Sequence, residues 1–190
     1  YFNPEYEIYT RYSYSSNEKK GLSNPVVGRT IEDKDGNLWI GTEGGGLNYY
    51  NRRTREFKWY RPQEGRNSIS HNNVKALYYD ADKEIIWIGT HLGGLNKLDI
   101  RSGHFTHYRM EEGNPATLPS DIIRDIIPYK SLLIIATQNG VCLFDPANGQ
   151  CQQLFKDSKE GKSIKMVADV TFDSEGTLWI AATGEGVFSY

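Results

Sequence analysis

The sequence of 190 residues has little of several things that would assign it to a class at once. Cysteine occurs only at Cys142 and Cys151, too few for a disulfide framework. Neither sign of charge dominates: 22 Lys and Arg stand against 24 Asp and Glu, for a net charge of −2. That balance argues against a nucleic-acid binder, which needs a basic face to neutralise phosphates. Long apolar runs are missing, the longest being Leu132 to Ala136, far short of the ~20 residues that cross a bilayer as a helix. No membrane contact is therefore expected of this segment, and no stretch sustains the 3.6-residue apolar period of an amphipathic helix. No secretory leader is visible, but the chain opens on Tyr1 and not on Met, so this does not bear on export.

What is present is aromatic and glycine-rich. Aromatic residues make up 13% of the chain, too many for a disordered segment, and with 19 glycines they favour pleated strands joined by tight turns. The chain also repeats itself. Gly36-Asn-Leu-Trp-Ile-Gly-Thr-Glu-Gly-Gly-Gly-Leu-Asn48 returns as Ile85-Ile-Trp-Ile-Gly-Thr-His-Leu-Gly-Gly-Leu-Asn96 and as Gly176-Thr-Leu-Trp-Ile-Ala-Ala-Thr-Gly-Glu-Gly-Val187. A weaker copy, Leu133-Ile-Ile-Ala-Thr-Gln-Asn-Gly-Val141, has Ile134 in the Trp position. Val27, Val74, Ile123 and Val167 keep the same period ahead of Trp39, Trp87, Ile134 and Trp179. Each period of about 47 residues holds four short apolar runs divided by turn residues, as at Asp33-Lys-Asp-Gly-Asn37 and Asp145-Pro-Ala-Asn-Gly149. Four antiparallel strands per unit predict an all-β fold, a β-propeller of four-stranded blades, because one such sheet buries neither face until it stacks on neighbours.

The unit over residues 27–60, Val-x-x-x-x-Glu-Asp-x-x-Gly-Asn-Leu-Trp-Ile-Gly-Thr-x-Gly-Gly-Gly-Leu-Asn followed by an aromatic and Phe-x-x-Tyr, resembles the two-component regulator propeller repeat. The linker Asn67-Ser-Ile-Ser-His-Asn-Asn-Val74 also fits that family. The resemblance implies the sensor of a hybrid two-component receptor of the Bacteroidetes type. In that family two large propellers precede a β-sandwich, a membrane helix, a histidine kinase and a response regulator. It further implies a periplasmic location, as the ectodomain of an inner-membrane receptor, and an oligosaccharide ligand that switches on polysaccharide-utilisation genes.

The expected organisation is one propeller region over 1–190. Within it, 1–22 gives the outer strand of a partial blade, 23–70 and 71–118 are blades, 119–163 is a divergent blade and 164–190 is partial. Tyr1 and Phe2 align with Tyr49 and Tyr50, and so do Ser189 and Tyr190, which suggests an arc of a larger propeller rather than a closed four-bladed ring.

The Trp residues at 39, 87 and 179 recur at one register and are expected in the core between blades. Gly44 to Gly46 lacks the Gly-Lys-Ser/Thr ending of a phosphate loop. Asp33-x-Asp35-Gly36 begins like a calcium loop but has Gly44 where the bidentate Glu belongs. His104 and His107 point to opposite faces of a strand, which disfavours a shared metal. No metal, cofactor or catalytic group is expected. With Asn148-Gly149 as the turn, Asp145 falls near Gln152 and the cysteines lie out of register, so both are expected as small apolar fillers, although an exported protein has the conditions to oxidise them.

Strand direction puts the loop between the second and third strands at the same end as the linker to the next blade. Those elements vary between copies, which is what a recognition surface does. The ligand-binding candidates are Glu43, Trp59, Arg61, Arg66, His71, His91, Arg109 and Gln138; Trp59 is chosen because Arg11, His107 and Gln153 stand in its place elsewhere. The leading expectation is a non-catalytic oligosaccharide sensor, with a homodimer formed through the parent receptor. The alternatives are a propeller lyase or glycoside hydrolase, needing an acid and a base at the central channel, and a protein-binding or dimerisation scaffold.

Overall fold

The computed structural model describes residues 10–155 and 164–190. These form three four-stranded antiparallel sheets and one three-stranded sheet, each with strands in chain order. Blade 1 holds β1 (Val27–Glu32), β2 (Leu38–Thr42), β3 (Gly46–Asn51) and β4 (Glu56–Tyr60). Blade 2 holds β5 (Val74–Asp80), β6 (Ile85–Thr90), β7 (Leu95–Asp99) and β8 (His104–Tyr108). Blade 3 holds β9 (Ile123–Tyr129), β10 (Leu132–Thr137), β11 (Gly140–Phe144) and β12 (Cys151–Leu154). The partial blade 4 holds β13 (Val167–Phe172), β14 (Leu178–Ala182) and β15 (Gly186–Ser189). The innermost strands of successive blades, β1, β5, β9 and β13, lie side by side. The architecture is that of propeller blades stacked as an arc.

The first nine residues lie outside the described part. Over residues 10–22 the chain makes no strand: it forms a parallel bridge between Tyr14 and Leu22 and a single 3-10 turn, Glu18–Lys20. This segment runs against the outer edge of blade 1, where Glu18 Oε1 accepts the Trp59 backbone N–H at 2.6 Å and Tyr12 and Tyr50 share a hydroxyl bond of 2.9 Å. The N–H groups of an edge strand otherwise stay unpaired.

The turn chemistry explains why the hairpins form where they do. Asp33 Oδ1 accepts the N–H groups of Asp35 and Asn37, and its Oδ2 accepts Trp39 Nε1 at 3.1 Å. Asp173 repeats this with Glu175, Thr177 and Trp179. One carboxylate thus closes the turn and orients the Trp, and its oxygens are already engaged, which accounts for the calcium-like beginning of the motif without a metal.

Blades pack through the repeat's own residues. Trp39 is 2% exposed and sits in a cluster with Val74, Leu77, Ile86 and Ile88 of blade 2. Trp87 is 1% exposed and packs with Ile123, Ile126, Ile135 and Phe144 of blade 3. Ile134 does the same against Val167, Val170 and Ile180 of blade 4. Gly89 permits the close approach, since a Cβ there would collide with the Ile123 side chain. Trp179 differs from the expected core position: it is 40% exposed, because among the described residues no further blade covers it.

Blade 3 departs from its neighbours in a coordinated way. In blades 1 and 2 a buried Asn in the third strand accepts a linker N–H: Ser23 N to Asn48 Oδ1 and Ser70 N to Asn96 Oδ1, both 2.8 Å. The corresponding residues of blade 3 are Pro119 and Cys142, so the donor and the acceptor are lost together. An Asn here would have left a buried amide short of a partner.

The register of β11 and β12 corrects the sequence expectation for the cysteines. Asp145 N bonds Gln150 O at 2.8 Å, so Phe144 falls opposite Cys151 and Cys142 opposite Gln153. A turn shorter by two residues than the one assumed from Asn148-Gly149 puts Cys142 and Cys151 on one face as diagonal neighbours, with their Sγ atoms 3.2 Å apart.

Candidate ligand-binding face

The loops between second and third strands and the inter-blade linkers do meet at one end of the arc, tied by backbone hydrogen bonds. Gly44 and Gly46 N–H groups donate to Asn72 O, and His91 N donates to Asn73 O at 2.9 Å. Gly94 N donates to Asp121 O, Gln138 N to Ile122 O, and Met166 N to Gln138 O. Each turn is thus fastened to the linker of the following blade. Within the turn, Thr42, Thr90 and Thr137 repeat one bond, Oγ1 to the carbonyl of Gly46, Gly94 or Gly140, at 2.8–2.9 Å. Gly46 has φ +81°, and a Cβ there would strike the Tyr60 carbonyl, so only glycine fits. The side chains carried at this end therefore vary on a frame that does not.

Four of the candidates converge there. His71 and His91 have ring centroids 6.5 Å apart in an edge arrangement. Glu43, on the preceding turn, pairs with Lys75, and that hydrogen bond, with the ammonium charge, holds the Glu43 carboxyl below its ordinary range. Burial pushes the His71 pKa down, with smaller contributions from His91 and Arg109, so the ring is neutral near pH 7. Its Nδ1 accepts the Asn73 N–H at 3.1 Å, which leaves the proton on Nε2 as a free donor. His91 Nδ1 is buried and, among the described residues, the one such side-chain polar atom with no partner. Arg109 closes the group, its Nη1 held by Leu92 O at 3.2 Å and Asp121 Oδ2 at 3.4 Å. Gln138 occupies the equivalent turn one blade further on.

The remaining candidates lie elsewhere. Trp59 is half-buried on β4 and its indole N–H is spent on Gly21 O at 2.9 Å, while the Arg61 guanidinium stacks over its ring at 4.5 Å. Both line a cleft of about 240 Å³ between the outer strands of blades 1 and 2, with Gln63, Asn67 and Phe105. Arg66 is exposed on the same linker, bonded to Gln63 Oε1 at 3.3 Å. The matching position between blades 2 and 3 holds a larger cavity, about 680 Å³, lined by Met110, Glu111, Glu112, Asn114, Pro119 and Gln153 among others. Sequence reasoning placed this linker on the face but singled out none of these residues.

A second group was missed altogether. Two positions beyond the repeat's Val or Ile marker stand Arg29, Ala76, Asp125 and Asp169 on β1, β5, β9 and β13. Arg29 Nη2 reaches Asp125 Oδ1 at 3.4 Å and Asp169 Oδ1 at 3.2 Å, so charges from three blades meet at the axis. A register irregularity recurs at this point in every inner strand, and a bulge of that kind re-aims side chains. Asp125 is buried, accepts Val170 N at 3.4 Å, and its pKa is raised to about 6 by burial and by hydrogen bonding to Asp169, against the pull of Arg29. The aligned repeats carried the signal, because one base and two acids stand at the same level of three inner strands.

Residues 21–44 and 68–91 each match the family model of the two component regulator propeller. Among solved structures, the chain is similar to the extracellular domain of BT3049 from B. thetaiotaomicron, assigned to a hybrid two component system: 24% identity, TM-score 0.76, covering 89% of this chain and 25% of that one. The extracellular domain of BT4673 from the same organism gives 25% identity and a TM-score of 0.71 over 94% of this chain and 24% of that one. PorZ, a surface component of the type-IX secretion system of Porphyromonas gingivalis, gives 18% and 0.71 over 100% of this chain and 28% of that one. The chain therefore spans about a quarter of the length of these solved chains. No curated protein matches it.

Proposed function

We propose that this chain, built of two-component regulator propeller repeats, is part of the extracytoplasmic sensing propeller of a hybrid histidine-kinase receptor. In this reading its variable end binds an oligosaccharide and the module itself catalyses nothing. The observation that carries the reading is the convergence of Glu43, His71 and His91, joined by Arg109, on turns locked to the next blade's linker. Sugar hydroxyls both donate and accept, and this group offers both roles: a free Nε2–H on His71, the His91 imidazole beside it, and a carboxylate on Glu43. Arg109 suits a uronate or sulfate. The likeness to extracellular domains of two component systems supports the same reading, which puts the chain in the periplasm. Dimerisation belongs to the parent receptor.

The test is calorimetric titration of the complete ectodomain against neutral, uronate-bearing and sulfated glycan fragments. Binding by at least one fragment is expected, weakened about tenfold by His91→Ala, the loss of roughly one good hydrogen bond, with the melting temperature unchanged. Failure of every fragment to bind sinks the oligosaccharide part of the proposal. Binding that is untouched by His91→Ala and Arg109→Ala moves the site to the 680 Å³ cavity.

A further inference from the structure

We propose that Cys142 and Cys151 close to a disulfide that clamps the outer hairpin of blade 3. The two side chains are diagonal neighbours on one face of β11 and β12, with sulfurs 3.2 Å apart, and both are buried, at 0% and 6% exposure. They lie in the core cluster that blade 3 shares with blade 2. The sulfurs already meet across the two strands, and an approach of about 1 Å brings them to the usual S–S bond length.

The positions they occupy strengthen the case. Cys142 stands where blades 1 and 2 have Asn48 and Asn96, and Cys151 where they have Phe57 and Phe105. Blade 3 has thus given up the buried Asn bond, together with its Ser N–H donor, and the aromatic ring that packs beneath the outer strand. The two thiols, in contact across β11 and β12, supply a link between the same two strands. In the folded chain the Cys142 thiol is pushed well above its ordinary range by its hydrogen bond to Cys151 and by burial, so the thiolate that starts the reaction is disfavoured there. Closure accordingly takes place while the hairpin is still open to solvent, and the product is then shielded from reductants.

The chemistry is thiol–disulfide exchange with a disulfide oxidant, either a dithiol–disulfide oxidoreductase or oxidised glutathione. One cysteine thiolate attacks a sulfur of the oxidant and expels its partner thiolate, giving a mixed disulfide. The second thiolate of the chain then attacks the chain sulfur of that mixed disulfide and expels the oxidant's other thiolate. Two protons and two electrons leave the cysteines, and the oxidant is reduced to two thiols. The occurrence of the bond in cells rests on the extracytoplasmic reading above, since that is where such oxidants act.

The chain is to be refolded in a glutathione buffer of oxidising poise, unfolded, treated with an alkylating agent and cut on the amino side of Asp145, which separates the two cysteines. The expected product is one cross-linked species, unlabelled and split by reductant. Alkylation of both cysteines overturns the proposal. A melting temperature lowered by reductant in the wild-type chain but not in a Cys142→Ala/Cys151→Ala variant is the second expected result, and equal sensitivity in both overturns the clamp. Thiols trapped at harvest from cells exporting the chain test the location separately. A bond that forms in the buffer and is absent from those cells leaves the pair intact and counts against the extracytoplasmic reading.

Discussion

Asp125 is the residue whose charge the fold alters most. Its ordinary pKa of 3.8 is raised to about 6, first by burial and then by Asp169, with Arg29 opposing both. Folding therefore favours the protonated form, so the contribution to stability is full below about pH 4 and is lost as the pH rises through about 6. Asp125→Asn keeps the shape and removes the titration. Thermal melts between about pH 4 and pH 7 are expected to show the wild type falling relative to the variant as pH rises, by a few degrees per kcal/mol lost. Parallel curves for the two proteins would show that the Asp125 carboxyl does not titrate with folding. His71, held neutral by burial, follows the opposite course: acid must charge a ring whose Nδ1 is already an acceptor for Asn73.

At the scale of the element, the third strand of each blade depends on a buried Asn or on what replaces it. Asn96 accepts Ser70 N and donates to Ile88 O, so Asn96→Ala strands a buried donor and acceptor and is expected to cost about 1–3 kcal/mol. The converse substitution is more revealing. Cys142→Asn places an amide opposite Pro119, which has no N–H, and is expected to destabilise; Cys142→Asn with Pro119→Ser restores the pair and should recover most of the loss. Denaturant unfolding of the four proteins of this cycle, under reducing conditions, gives the coupling energy, and additive effects would refute the exchange. This is also where the limits of sequence reading lie. Strand order, blade packing by Trp39 and Trp87, and the sharing of one end by turns and linkers are legible because a 47-residue period repeats them. The Asn–Ser tie is not, because its partners lie 25 or 26 residues apart and appear as unrelated polar positions. The length of the β11–β12 turn was misjudged for a similar reason: the Asn148-Gly149 pair is a turn signal wherever it falls, and only the paired strands show where the ladder ends. Of the candidate site, Glu43, His71 and His91 were found by their place on varying loops. The axial cluster was overlooked because its members come from three blades and carry ordinary residue types.

For the whole molecule, the decisive contrast is between Trp residues that occupy the same register. Trp39 and Trp87 are 2% and 1% exposed because blades 2 and 3 cover them, whereas Trp179 is 40% exposed beside Val187, which is 65% exposed on the same face. The repeat therefore places on blade 4 the apolar face that elsewhere receives a neighbour, and the inference that this is an arc of a larger propeller rests on that face. The cost of removing a Trp should follow the cover and not the motif. Trp87→Ala, deleting a side chain from the blade 2–blade 3 core, is expected to cost about 3–5 kcal/mol. Trp179→Ala in the same 190-residue chain should cost much less and should remove the larger share of the fluorescence that iodide quenches, since Arg61 covers the half-buried Trp59 ring and the other two are enclosed. Repeating both substitutions in a longer piece of the parent protein tests the architecture. If a further blade packs on blade 4, the penalty at Trp179 rises toward that at Trp87 and the share of quenchable emission that Trp179 supplies disappears from the wild type. If the penalty stays small and Trp179 stays quenchable, the face is free in the parent as well, and the arc ends at blade 4.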